Sequence, residues 1–314
     1  MKTTRSVLTF PLMGAGGEPV DLWRTIASHG LASLPPMAVD EASRSLEVTV
    51  GLAGARPRTV RVRSGRPGRG EIEVAGRAPG PRLAAALRER VGYILRLDED
   101  LSAFYERAAA DPALSWATAG AGRMARSATV FEEVVKTIAT TNCAWSATKR
   151  MVGALVEHLG EPAATAPESG PLGRAFPTPE AMAGADESFY KNVVRAGYRG
   201  PYFIALAESV ANGSVDLEGM ARAKRDELSD DEMAAELLAL PGVGPYAAAH
   251  IMMMIGRYSR LILDSWTRPT YARIVRRKTV SDETMQRRWR RYGPYAGLAF
   301  WLFLTRDWVD EEPL

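Results

Sequence analysis

Residues 229–256 read SDDEMAAELLALPGVGPYAAAHIMMMIG, and the architecture follows from this stretch. Ser229 followed by Glu232 has the form of a capping box, with Leu228 and Met233 spaced to staple the same helix start. A helix is therefore expected from about Asp230 to Leu240. Pro241-Gly242-Val243-Gly244 breaks it, because glycine supplies the backbone freedom of a tight turn. Pro245 suits the first position of a second helix, and Gly256 suits that helix's C-terminal cap. In such a hairpin the turn residues Gly242, Val243 and Gly244, together with the N-terminus of the second helix, present amides to an anion such as a backbone phosphate. Taken alone, the turn could equally be an ordinary connection between two helices.

Outward from the hairpin, the chain divides by its hydrophobic period. SLEVTVGL (45–52), RTVRVRSG (58–65) and EIEVAGRA (71–78) alternate apolar with polar residues, and RPGRG supplies a turn between the last two. From Pro81 the period becomes helical, as in PRLAAALRERVGYIL and DEDLSAFYERAAAD. Helical patterns continue to the end, interrupted by a Pro/Gly-rich linker at 160–180. The expected fold class is α+β: an N-terminal antiparallel β-sheet domain over residues 1–110, followed by an all-α domain over 111–314. A chain of 314 residues is long enough for two such cores.

Composition narrows the function classes. No apolar run is long enough to span a membrane, and the first residues carry no secretory h-region, so a cytoplasmic location is expected. A single cysteine, Cys143, excludes an internal disulfide framework and any four-cysteine iron–sulfur or zinc site. Net charge is only +3, but arginines gather at 56–69 and again at 268–291, which suits a polyanionic partner or simply a solvated surface.

Beyond the hairpin, Arg260-Leu-Ile-Leu-Asp264 ends an apolar run on a carboxylate eighteen residues after Tyr246. This pattern resembles the helix-hairpin-helix DNA glycosylases, which include endonuclease III, 3-methyladenine DNA glycosylase II and 8-oxoguanine DNA glycosylase. The likeness extends to VFEEVVKTIATTNCAWSATKRMVGALVEHLG (130–160), to AGYRGPYFIALAESV (196–210) and to WRRYGPYAGLAFWLFL (289–304). It covers most of the chain and is most specific over residues 126–304. It implies an all-α glycosylase core, base flipping, and excision of a damaged base from double-stranded DNA.

The resemblance also implies roles. Asp264 would stabilise the oxocarbenium-like sugar and align the attacking water, although Asp is also a good helix N-cap. Pro269 within the following turn predicts a helix that starts late or kinks. Tyr246 stands where strand-nicking members carry a nucleophilic lysine, so a monofunctional, water-using enzyme is expected. His250 lies one helical turn on and would touch the flipped base. Phe300 replaces the glutamine that binds 8-oxoguanine, which favours stacking against an alkylated or otherwise modified purine. Asn142, Tyr198 and Arg199 match residues that fill and read the space left by the extruded base. Gly30, Trp145, Trp266 and Trp301 are further possible contacts, with core packing as their alternative.

No cofactor is expected apart from a structural monovalent cation, which the family's hairpin can hold through carbonyls here belonging to Leu238, Leu240 and Val243. The expected partner is double-stranded DNA with a damaged base, bound by a monomer and away from membranes. Two alternatives stand beside this assignment: an 8-oxoguanine-type glycosylase with lyase activity, and a non-catalytic DNA-binding protein. A carboxylate in a cleft favours an enzyme, whereas a hairpin on a convex surface favours a binder.

Overall fold

The computed structural model describes residues 5–309, so the outer limits of the two expected domains lie outside the described residues. The first part is a five-stranded antiparallel sheet in the order β1-β5-β4-β3-β2. Its strands are β1 (Arg5–Pro11), β2 (Met37–Asp40), β3 (Ser45–Leu52), β4 (Ala55–Ser64) and β5 (Arg69–Ala75). Alternation makes the sheet one-sided. Val48, Val60 and Val74 lie abreast across three strands, as do Leu46, Val62 and Ile72, and all six are buried. Helix α1 (Leu22–Ile26) and helix α2 (Pro81–Ile94) share that apolar cluster through Ile26, Leu87, Val91 and Ile94.

The same alternation turns part of the first arginine cluster onto the outer face, where it is paired. Arg61 meets Glu47 at 3.3 Å, and Arg63 meets Glu71 and Glu73 at 2.9 and 2.8 Å. Strand register creates these pairs, since Arg61 stands opposite both Glu47 and Glu73 and Arg63 stands opposite Glu71. This part of the basic run is therefore a neutralised sheet surface.

From α3 (Ser102–Ala109) onward the regular structure is helical. It continues through α4 (Val130–Thr140), α5 (Trp145–Leu159), α6 (Pro179–Ala183), α7 (Gly200–Ala211) and α8 (Leu217–Arg222). The hairpin helices are α9 (Asp230–Leu238) and α10 (Pro245–Met254), and α11 (Thr267–Ile274), α12 (Asp282–Trp289) and α13 (Ala296–Thr305) close the body. Two apolar clusters hold these helices. One joins α4, α5, α7 and α9 to Ala247, Ala248, Ile251 and Met252 of α10. The other joins α3 and α11–α13 to Ala249, Met253 and Met254 of the same helix. Although α3 precedes residue 110, it packs with the C-terminal helices, and the sheet's own cluster stops short of it.

Helix α10 is buried from Ala247 to Met254, as expected of a helix that is apolar on every side. Its C-terminal carbonyls are capped by a buried cation. Arg96 donates to Met253 O at 3.2 Å and to Met254 O, and its Nε donates to Met124 O at 2.7 Å. Positive charge at a helix C-terminus is favourable, and the contact ties the sheet side of the molecule to this central helix. With one end fixed, α10 presents its N-terminus to the site.

Candidate active site

The capping box forms in both directions. Glu232 N–H donates to Ser229 Oγ at 3.2 Å, and Ser229 N–H donates to Glu232 Oε2 at 2.8 Å. Helix α9 stops at Leu238, two residues before the sequence limit, because the next amides close the turn: Leu240 N–H bonds Leu237 O and Val243 N–H bonds Leu240 O. Gly242 has φ of +76°, and a Cβ there would stand 2.7 Å from the Tyr202 ring. Only glycine meets both demands without adjustment. Gly244 is extended, with open space where a side chain would be, and Pro245 begins α10. That helix ends at Met254, and Gly256 follows in the left-handed region at +91°.

The hairpin borders a concave surface, a cleft of about 860 Å³ lined by Gly242, Gly244, Tyr246, Asp264, Asn142 and Tyr198 among others. Asp264 enters it from the turn before α11. Its Oδ1 accepts from Trp266 N–H at 2.8 Å and Thr267 N–H at 2.6 Å, while Asp264 N–H donates to Thr267 Oγ1 at 2.8 Å. The carboxylate is thus clamped through one oxygen by the start of α11, which leaves Oδ2 for the cleft. The capping expected of this residue is made by that oxygen. Helix α11 begins at Thr267, late as Pro269 predicted, with the proline inside the first turn where it is tolerated.

Tyr246 lies at the seam of the two helical clusters and packs against both. Burial raises its phenol above the usual 10; a hydrogen bond with Thr140 opposes that shift and the charge of Asp264 adds to it. It is a neutral phenol throughout the physiological range. No lysine lines the cleft among the described residues. The buried Lys136, one turn from Thr140 on α4, is committed to Glu132 at 2.6 Å and to Leu34 O at 3.3 Å.

Asn142 and Tyr198 meet at the cleft edge, where Asn142 Nδ2 donates to Tyr198 Oη at 3.4 Å. Asn142 takes a positive φ of 46°, which asparagine tolerates better than most residues. Tyr198 is exposed, with Tyr202 beside it at 6.1 Å between ring centroids. Arg199 is elsewhere engaged: it is buried, bonds Thr141 O and Thr141 Oγ1, and stacks on Tyr198 at 4.5 Å. Its guanidinium secures the loop that carries Asn142 and does not line the cleft.

His250 is buried behind Tyr246, with ring centroids 5.9 Å apart. Phe300 departs from the sequence expectation, since it is fully buried among α11–α13, against Tyr271 at 5.7 Å and Trp289 at 6.2 Å, and is not part of the cleft wall. Those two aromatic partners draw it into the core. Trp266 and Trp301 belong with Trp308 to an aromatic cluster, whereas Trp145 is exposed and rests over Gly30, about 3.5 Å from where a Cβ would sit. The carbonyl-bearing residues Leu238, Leu240 and Val243 all border the cleft, and Leu240 O is already an acceptor within the turn.

Sequence reasoning missed Thr140, Tyr202 and His29. Thr140 and Tyr202 lie within quoted motifs, but only the fold brings them to Tyr246 and Gly242. His29 packs edge-on against His250, 6.4 Å away and more than two hundred positions distant in the chain.

The chain matches no family model and no curated protein. Solved structures do share its fold. A 3-methyladenine DNA glycosylase from Archaeoglobus fulgidus aligns with a TM-score of 0.71 at 20% identity, over 96% of this chain and 99% of that one. An 8-oxoguanine glycosylase/lyase of Clostridium acetobutylicum aligns with a TM-score of 0.70 at 19% identity, over 96% and 97%. A structure of MBOgg1 with a low-affinity DNA ligand aligns with a TM-score of 0.70 at 19% identity, over 98% and 99%. The likeness is one of fold and spans both parts of the molecule.

Proposed function

We propose that the chain is a DNA N-glycosylase that releases a modified base by hydrolysis. The observation that carries this is Asp264, a carboxylate clamped through Oδ1 and open through Oδ2, in a cleft shared with the amides of the hairpin turn. The proteins with the same fold are named as glycosylases, and one of them is described with a DNA ligand. A convex hairpin would have favoured a protein that only holds DNA.

In this mechanism the amides at Gly242–Gly244 and the N-terminus of α10 grip a backbone phosphate without reading sequence. Asn142 and Tyr198 enter the space vacated as the base turns out. The bond between the sugar C1′ and the base nitrogen breaks, its electron pair leaving with the base. Asp264 stabilises the cationic sugar and receives a proton from the water whose oxygen bonds C1′, and the base takes up a proton as it departs. With tyrosine at position 246 and no lysine lining the cleft among the described residues, water attacks the sugar, so the product is an intact strand with an abasic site. Carbonyls of Leu238, Leu240 and Val243 would hold a monovalent cation that stiffens the turn. The functional unit is a monomer.

The test is base release from a panel of duplexes carrying oxidised, deaminated and alkylated bases, with borohydride present in parallel. Free base together with an intact strand and no trapped adduct is expected. A trapped protein–DNA adduct would restore the lyase alternative, and duplex binding without release from any substrate would favour the non-catalytic one.

A further inference from the structure

Behind Tyr246, two imidazoles are buried with one ring nitrogen each left unpaired: His29 Nδ1 and His250 Nε2. His29 Nε2 lies against Ala125 O. A carbonyl can only accept, so in the neutral ring that nitrogen carries the hydrogen and Nδ1 is a bare acceptor. A buried acceptor without a partner is costly to keep, and this one stands beside a second buried ring that also has an unpaired nitrogen.

Their position is informative. His250 touches Tyr246, which lines the cleft beside Asp264. On the other side, Gly30 directly follows His29 and lies under the exposed Trp145, which begins α5 two residues after the cleft residue Cys143. Elements that border the cleft therefore flank the histidine pair on both sides. Arg96 and Lys136 add positive potential at His29, which opposes a cationic guest. Burial itself keeps both rings neutral, and hence able to accept.

We propose that His29 and His250 form the recognition wall of the base pocket and that His29 Nδ1 accepts an N–H of a neutral modified base. This rests on the glycosylase reading and narrows its substrate to bases with a ring N–H donor, in place of alkylated, cationic purines. Selection by an unpaired buried acceptor is strong, because a base lacking the donor leaves that acceptor unmatched.

Two substitutions separate recognition from structure. His29→Gln keeps an N–H near the Nε2 position for Ala125 O and removes the Nδ1 acceptor. His29→Asn places its polar atoms near Nδ1 and gives up the bond to Ala125 O. Wild type is first assayed on duplexes containing 8-oxoguanine, hypoxanthine and uracil, which carry ring N–H groups, and on the blocked bases 1,N6-ethenoadenine and 3-methyladenine, which carry none. The best substrate should come from the first set. On it, His29→Gln should lower kcat/KM about 10- to 100-fold with an unchanged Tm and unchanged affinity for undamaged duplex. His29→Asn should lower Tm while losing less of the discrimination between sets. A wild-type preference for the blocked bases, or a His29→Gln variant with wild-type discrimination, overturns the proposal while leaving the glycosylase reading intact. No release of any base by wild type overturns both.

Discussion

Lowering the pH from about 7.5 to about 5 should destabilise this protein through two residues that make no surface contact. Burial pushes His29 down from 6.5 to about 4; its bond to Ala125 O works against that shift, and Arg96 and Lys136 add to it. Burial, then the neighbouring His29, pushes His250 down to about 3. The unfolded chain takes up protons as pH falls through 6.5, whereas the folded chain does not until about 4 and 3. Stability is therefore complete above 6.5 and is lost as pH falls below it, levelling off only near the folded values. By pH 5 each histidine should cost about 2 kcal/mol, from a proton bound on unfolding at 1.36 kcal/mol per unit. Burial also raises the Glu132 carboxyl, which acts in the opposite direction. The clean reading is thus the difference between wild type and His29→Gln in urea unfolding at a series of pH values. Wild type should lose about 2 kcal/mol more than the variant across this window. Parallel pH dependences in the two proteins would refute the argument that His29 is held neutral by burial.

The remaining predictions concern backbone and capping. Gly242→Ala forces a Cβ toward the Tyr202 ring at a positive φ, so unfolding free energy should fall by about 1–3 kcal/mol and duplex affinity should weaken alike for all sequences, read by denaturation and by titration. Arg96→Met removes the donor to Met124 O, Met253 O and Met254 O and should cost about 3 kcal/mol in urea unfolding; a loss below about 0.5 kcal/mol would mean that water replaces it.

The hairpin was legible because its signals are local. Ser229 and Glu232, Gly242 and Pro245 each act on neighbours a few residues away, and the alternation in 45–52, 58–65 and 71–78 gave the one-sided sheet in the same manner. Boundaries were less so, since α9 ends where the turn amides of Leu240 and Val243 take its carbonyls. Long-range partners were out of reach. Arginines at 61 and 63 looked available until strand register set them against glutamates. Phe300 falls at a pocket position of the resemblance, but Tyr271 and Trp289 from two other helices claim it. Arg199 is taken up by Thr141, and His29 gains meaning only beside His250.

Asp264→Asn tests the central claim most directly. The substitution keeps the shape of the side chain and an oxygen for the amides of Trp266 and Thr267, and removes the charge that faces the cleft. Single-turnover base release should fall roughly 100-fold or more, with duplex affinity within about threefold of wild type, as expected for a preorganised charge that acts only on the transition state. Release by Asp264→Asn at close to the wild-type rate would contradict the account, because no other carboxylate among the described residues lines that cleft.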